Sequence, residues 1–245
     1  GYGKIKDRYH GPYTTKEEEF DDTRYSLGTA IVQYNHNSLS HKQFPVEGTK
    51  AKITAQYVFG KRESNTQTVV DTSLTIVNDE FSNNWIQLSG IIDHYFPISK
   101  HFTIGLLGQA AFSTHKLEGN YMETLLMSPS FTPTKHSVMV FNPAFHSTTY
   151  FAAGFKPIYK FNKFLHLRFE NYAYVPYKAI IPTALFSAEY DSPFSKFYAI
   201  SELTAVAQLK YITASIYGNW YSYPKRNWNV GLNIGFLIFH DKLIE

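Results

Sequence analysis

The chain has 245 residues, 44% of them hydrophobic and 17% aromatic, with no cysteine and a formal charge of +3. That length suits one large β domain, and the missing cysteines exclude a disulfide scaffold, a thiolate metal site and a cysteine nucleophile within it. The 23 basic and 20 acidic residues are dispersed, which argues against a nucleic-acid partner.

Gly1–His10 reads as a strand or as irregular chain, and Thr14–Phe20 (TTKEEEF) as an exposed charged connection. No apolar leader core follows Gly1, so the chain is expected to be a mature fragment or the C-terminal part of a longer protein. Residues 1–245 are taken as one domain, its first 24 residues the least defined. Ser26–Asn35 alternates, with Gly28, Ala30, Val32 and Tyr34 on one side. A turn follows around Pro45 and Gly48, and Lys50–Gly60 alternates again. Lys61–Asn84 reads as a long polar connection in which TSLTIV extends a strand. Trp85–Phe96 and His101–Ser113 are alternating strands joined by a short break at Pro97–Lys100. Thr114–Ser147, with three prolines, is a long connection.

Thr148–Tyr159 and Phe164–Val175 are strands around a tight Phe161–Lys163 turn, with Asn171 out of place on an apolar face. Pro176–Phe197 is a third long connection, and Tyr198–Leu209 a further strand. At Lys210–Tyr211 the apolar positions change from odd to even, as a two-residue hairpin produces; the turn lacks the favoured glycine or asparagine, which leaves a bulge as the alternative. The last run, NWNVGLNIGFLIF (Asn227–Phe239), places Trp228, Val230, Leu232, Ile234, Phe236 and Ile238 on one face and asparagine and glycine on the other.

About ten runs of this kind appear, each near the 9–11 residues of a tilted bilayer-crossing strand. From Lys61 onward long and short connections mostly alternate, as they do in outer-membrane barrels, although the last outer connection, Ser222–Arg226, is short. No stretch approaches the roughly 18 apolar residues of a membrane helix, so strands are the only route across a bilayer. The expectation is an all-β, antiparallel transmembrane barrel in a bacterial outer membrane, with outer-membrane lipid and the barrel-assembly machinery as partners. A soluble all-β binding domain remains the alternative from another class.

The charged strand residues fall almost entirely on the non-apolar face. Lys52, Asp93, Arg168, Glu170, Glu202 and Gln208 are therefore expected to line the lumen, either as a pore or binding surface or as a packed network that stiffens the barrel. No HExxH, no glycine-rich phosphate loop and no G-x-S-x-G occurs, and His136 and His146 lack further ligand residues at metal-binding spacing. No catalytic set, cofactor site or metal site is expected. His94, on the apolar side of its strand, is the best candidate for wall-mounted chemistry, but Ser89 points to the opposite face.

Several phrases carry a resemblance: Gln43–Gly60 (QFPVEGTKAKITAQYVFG), Ser128–Phe145 (SPSFTPTKHSVMVFNPAF), Ala152–Pro176 (AAGFKPIYKFNKFLHLRFENYAYVP) and the closing strand. Together they resemble the C-terminal barrel of patatin-like phospholipases from Bacteroidetes-type bacteria, which is similar to the bacterial surface antigen, or outer-membrane-assembly, superfamily. QFPVEG resembles that superfamily's periplasmic F-P-x-x-G turn. Its V-R-G-[FY] string has its nearest counterpart in Leu117–Tyr121 (LEGNY), with glutamate in place of arginine. The resemblance implies a barrel larger than ten strands that anchors or translocates an N-terminal lipase domain, with catalysis in that domain and none in Gly1–Glu245. A stand-alone porin or nutrient-binding outer-membrane protein is the alternative.

Overall fold

A computed structural model describes residues 1–9, 21–70, 73–82, 84–118, 120–183, 187–209, 212–223 and 228–236. Its strands are β1 (Tyr2–Tyr9), β2 (Asp21–Asn37), β3 (Gly48–Val70), β4 (Ser73–Ser82), β5 (Trp85–Pro97), β6 (Phe102–Ser113), β7 (Thr149–Lys160), β8 (Leu165–Pro176), β9 (Lys178–Pro182), β10 (Ala188–Pro193), β11 (Tyr198–Gln208), β12 (Ile212–Tyr221) and β13 (Trp228–Phe236). Two short helices, α1 (Tyr121–Met127) and α2 (Lys135–Met139), lie between β6 and β7. No helix among the described residues is long and apolar enough to cross a membrane.

Eleven strands form one antiparallel sheet in the order β1-β2-β3-β5-β6-β7-β8-β11-β12-β13, with β4 folded back on β3. Among the described residues β13 pairs with β12 alone, and no pairing closes the sheet. The stretch read as a polar connection at Lys61–Asn84 is largely strand: β3 runs on to Val70 and returns as β4. Its charges read as loop because the pattern lost its apolar beat, but ladder hydrogen bonds need no apolar residues. Likewise Pro176–Phe197 holds the small hairpin β9–β10. Thr14–Phe20 lies outside the described residues.

The phase change is a two-residue hairpin by register. Gln208 pairs with Thr213, and the Leu209 N–H donates to the Ile212 carbonyl (2.8 Å), the two residues between lying outside the described set. At the β7–β8 turn, Asn162 Oδ1 accepts from the backbone of Phe164 (2.8 Å) and Leu165 (2.9 Å). These two turns share one end of the sheet with Ile98–His101 and the 38–47 turn. The β3–β4 hairpin, the β6–β7 connection and the β8–β11 connection share the other.

One face of the sheet is bare and apolar. Val32, Ile53, Leu88, Leu106, Phe155, Phe169, Leu203, Ile216 and Leu232, one from each strand from β2 to β13 of the main path, are all 45–76% exposed. The other face is covered, and the sheet is rolled around what covers it. The backbone carbonyl of Gln43, in the β2–β3 turn, accepts from Gln208 Nε2 on β11 (3.3 Å), and the Gln43 side chain lies against Gly235 on β13. In a flat sheet β13 would stand seven spacings from β3, roughly 33 Å at 4.7–4.9 Å each, beyond the reach of a ten-residue turn.

Candidate functional site

The covered face carries the charged residues because strand alternation sends every second side chain there. Lys156 on β7 donates to Asp93 Oδ1 on β5 (2.7 Å) across the intervening β6. It reaches because the β6 residue beside it is Gly105. A Cβ there would stand 2.7 Å from the Tyr95 ring and 3.2 Å from Lys156 Cβ. The Tyr95 ring lies over that gap, its hydroxyl donating to Asp93 Oδ2 (3.1 Å) and accepting from Lys156 (3.1 Å) and Arg168 (3.4 Å). On β8, Arg168 Nε donates to Glu170 Oε1 (2.8 Å), and Tyr172 Oη donates to Glu170 Oε2 (2.5 Å). Arg168 is 1% exposed, so this is a buried ionic network whose charges are matched and hydrogen-bonded.

Glu202 on β11 stands directly opposite Glu170. Glu170 takes the cation. Glu202 accepts from the Thr204 hydroxyl (2.9 Å) and the Asn219 amide (3.5 Å), and among the described residues it makes no ion pair.

Two segments fold onto this face from opposite ends. From the short-turn end comes the 38–47 turn, where Gly48 (φ +98°) permits a close return: a Cβ would meet the Ser38 carbonyl at 2.1 Å. Phe44 holds φ +52°, uncommon for a bulky residue, and sits between Lys135 Nζ (4.2 Å from the ring) and the Arg168 guanidinium (5.8 Å). The Pro45 carbonyl accepts from Arg168 Nη1 (2.7 Å). From the other end comes the β6–β7 connection. Its Phe131 and Phe145 are buried against Tyr150, Tyr174, Ile200 and Tyr221, with Phe131 stacked on Tyr174 at 5.7 Å. The two segments meet where Lys135 Nζ donates to Gln43 Oε1 (3.2 Å).

The second segment is tethered by charge. Glu118, the residue standing where the resembled string has arginine, pairs with Arg62 on β3, which also approaches Glu123 Oε1 at 3.3 Å. Tyr25 Oη donates to the same Glu123 oxygen (2.6 Å). The loop thus brings the carboxylate and the strand the guanidinium. His115 packs edge-on to Trp85 (4.6 Å between centroids), and burial with the nearby Arg62 charge pushes its pKa down to about 4. Burial also holds His136 and His146 below the ordinary imidazole value; His136 Nδ1 contacts Tyr221 Oη (2.9 Å) and His146 Nδ1 the Leu125 carbonyl (3.0 Å).

All six residues expected to line the interior lie on the covered face. Asp93, Arg168 and Glu170 join one network, and Gln208 binds the 38–47 turn. Lys52 stands apart, opposite Ile91. Sequence reasoning missed Tyr95, Tyr172, Phe44, Lys135 and Glu118. The hydroxyls read as ordinary strand aromatics, and the rest sit in connections with no periodicity to place them. The one missed signal was Gly105 among large residues, a sign that another side chain crosses there.

On the bare face, the His94 Nδ1 contacts the Thr49 hydroxyl (2.5 Å), its cross-strand neighbour. Among the described residues no hydrogen bond orients the other ring nitrogen, and backbone N–H groups around it are engaged in the ladders, so no oxyanion donors face the pair. No cluster of three metal-ligating side chains occurs among the described residues. No family model, curated protein or solved structure matches this chain.

Proposed function

We propose that the chain is a transmembrane β-barrel segment of a bacterial outer membrane, serving as the membrane anchor or translocation unit of a longer patatin-like phospholipase. The observation that carries the membrane reading is the bare face. Nine consecutive strands each expose large apolar side chains, from Val32 on β2 to Leu232 on β13, while charge is gathered on the covered side. Isolated exposed apolar residues are ordinary, but a band of this extent is not found facing water. A bilayer accounts for it, and the clustering of longer connections at one end fits the outside of such a barrel.

Strand direction supports a larger barrel. β1 pairs only with Asp21–Gly28, above the level where β5 begins, so nine strands share the apolar band. Because every pairing along the path is antiparallel, the two edges of that nine-strand band, β2 and β13, run the same way. Antiparallel closure therefore calls for an odd number of additional strands. In a bilayer those bare edges must be paired, since no water satisfies them.

The lipase partner rests on the resemblance carried by Ser128–Phe145 and Ala152–Pro176, and this segment itself supplies no catalytic set. The test has two arms. Native outer-membrane fractions run unheated and heated should show a heat-modifiable band, and Ser195→Cys but not Lys163→Cys should react with an impermeant thiol reagent on whole cells. A soluble, heat-indifferent protein overturns the barrel. The coding sequence upstream of Gly1 should encode a patatin domain; a bare leader there overturns the lipase assignment and leaves the barrel standing.

A further inference from the structure

Between the β6–β7 connection and the wall made by β5 and β6 lies a cavity of about 390 Å³. Gln87, Ser89, Gln109, Ser128, Ser130 and Tyr150 line it, so hydroxyls and amides dominate its surface. Part of that lining is fixed: Gln109 Nε2 donates to Tyr150 Oη (2.7 Å), and Tyr150 Oη donates to the Ser130 carbonyl (2.9 Å). Packing has not filled the space, although the same connection fills the neighbouring wall at β8–β12 with Phe131 and Phe145.

The wall continues downward into positive charge. Ser89 pairs with Thr54 on β3, and the next covered-face positions of β3 are Lys52 and Lys50, about 7 and 14 Å further along at 3.4 Å per residue. Among the described residues neither lysine makes an ion pair. Asp93, a carboxylate of this wall, stands opposite Lys50 but is held by Lys156 at 2.7 Å. Lys156 thus neutralises Asp93, which leaves Lys50 and Lys52 as the charge of this wall, and a cleft lined by one sign of charge concentrates ions of the other.

We propose that this cavity and the two lysines below it form a binding and passage site for small anions bearing carboxylate or phosphate groups. Lys50 and Lys52 supply the charge, and the hydroxyl and amide groups around Ser89 replace the hydration of the anion's oxygens. The proposal rests on the covered face being a barrel lumen and gives that lumen a substrate class.

Residues 1–245 hold no cysteine, so Ser89→Cys reports the site cleanly once any cysteine elsewhere in the full-length protein is changed to serine. Full-length protein refolded into vesicles would be treated with a negatively charged and a positively charged methanethiosulfonate of similar size, each rate divided by that of a free thiol in solution. The expected result is several-fold faster reaction with the anionic reagent. Lys50→Gln/Lys52→Gln should bring the ratio close to one, and inorganic pyrophosphate should slow labelling only when the lysines are present. Equal rates, a ratio unmoved by the lysine changes, or no labelling by either reagent would overturn the site. Protection by a neutral sugar but not by pyrophosphate would overturn the anion class. Loss of heat-modifiable folding in the unsubstituted protein would instead refute the barrel, so the two failures are distinguishable.

Discussion

Along β8 the two faces obey different rules. Leu165 and Phe169 are about half exposed, whereas His166, Arg168, Tyr172 and Tyr174 on the other face are at most 6% exposed. The bare face needs only to be apolar, so any large hydrophobic side chain would serve. The covered face needs specific partners, since each buried charge there is tolerated only because a particular atom on another element meets it. Substitutions on the two faces should therefore fail for opposite reasons, and that contrast can be tested residue by residue.

The largest expected effect is on the covered face. Arg168→Ala removes the guanidinium from Glu170, the Tyr95 hydroxyl and the Pro45 carbonyl together. Removing one partner of a buried pair typically costs about 3–5 kcal/mol, and here it also frees the 38–47 turn. Urea unfolding from vesicles should show that loss, while Phe169→Leu, one residue along on the other face, should change stability by well under 1 kcal/mol. Comparable losses from both would refute the division of roles.

The next effect inverts the pair. Leu232 is 62% exposed on the bare face of β13, and Asn233 faces the covered side opposite the buried Ser215. An arginine on the lipid face at mid-bilayer costs roughly 2–4 kcal/mol, and interior positions accept charge. Leu232→Arg should reduce the heat-modifiable fraction and Asn233→Arg should leave it intact. If the two variants assemble equally well, the bare face does not meet lipid.

A smaller effect concerns the tether of the β6–β7 connection. Burial and the Arg62 charge push the His115 pKa down to about 4, even with Glu118 Oε1 3.0 Å from its Nε2. The unfolded chain binds a proton there near 6.5. Between those values the unfolded state carries more protons, so this group's contribution to stability is intact above about pH 6.5 and declines as pH falls toward 4. Trp85, edge-on to the imidazole, reports the change. Its fluorescence should shift across that window, and His115→Gln should abolish the shift while leaving the rest of the acid titration in place.

How much was legible follows the same division. The faces of Trp85–Phe96 and Trp228–Phe236 could be read from alternation alone, because burial on a strand has period two. The hairpin at residues 209–212 was legible because a phase change leaves a mark in the apolar pattern. Asp93, Arg168 and Glu170 could be assigned to a face but not to partners. Lys156 meets Asp93 across a third strand, and strand spacing along the chain carries no such information. The β6–β7 connection was least legible: Phe131 and Phe145 are core residues set in a proline-rich stretch without period, and Lys135 meets Gln43 92 residues away.

The smallest effect returns to the bare face and to an irregularity in its apolar pattern. Asn171 interrupts the apolar pattern of β8, and its reason lies on the next strand: the Ser201 hydroxyl donates to Asn171 Oδ1 (2.9 Å) from the directly paired position on β11. In water such a pair is worth little, because either group alone can bond to solvent. In hydrocarbon an orphaned partner loses that option, so Asn171→Val should cost about 1–3 kcal/mol by stranding Ser201. Replacing both, as Asn171→Val/Ser201→Val, should recover most of the loss, since removing both members of a hydrogen-bonded pair is nearly neutral. The cycle is best run twice, in lipid vesicles and in a water-exposed state such as a short-chain detergent with a thin, mobile shell. A penalty confined to the single variants and to the lipid condition fixes Ser201 and Asn171 against the bilayer. Equal penalties in both conditions would mean that water reaches this part of the bare face, and the band would then end short of β8 and β11.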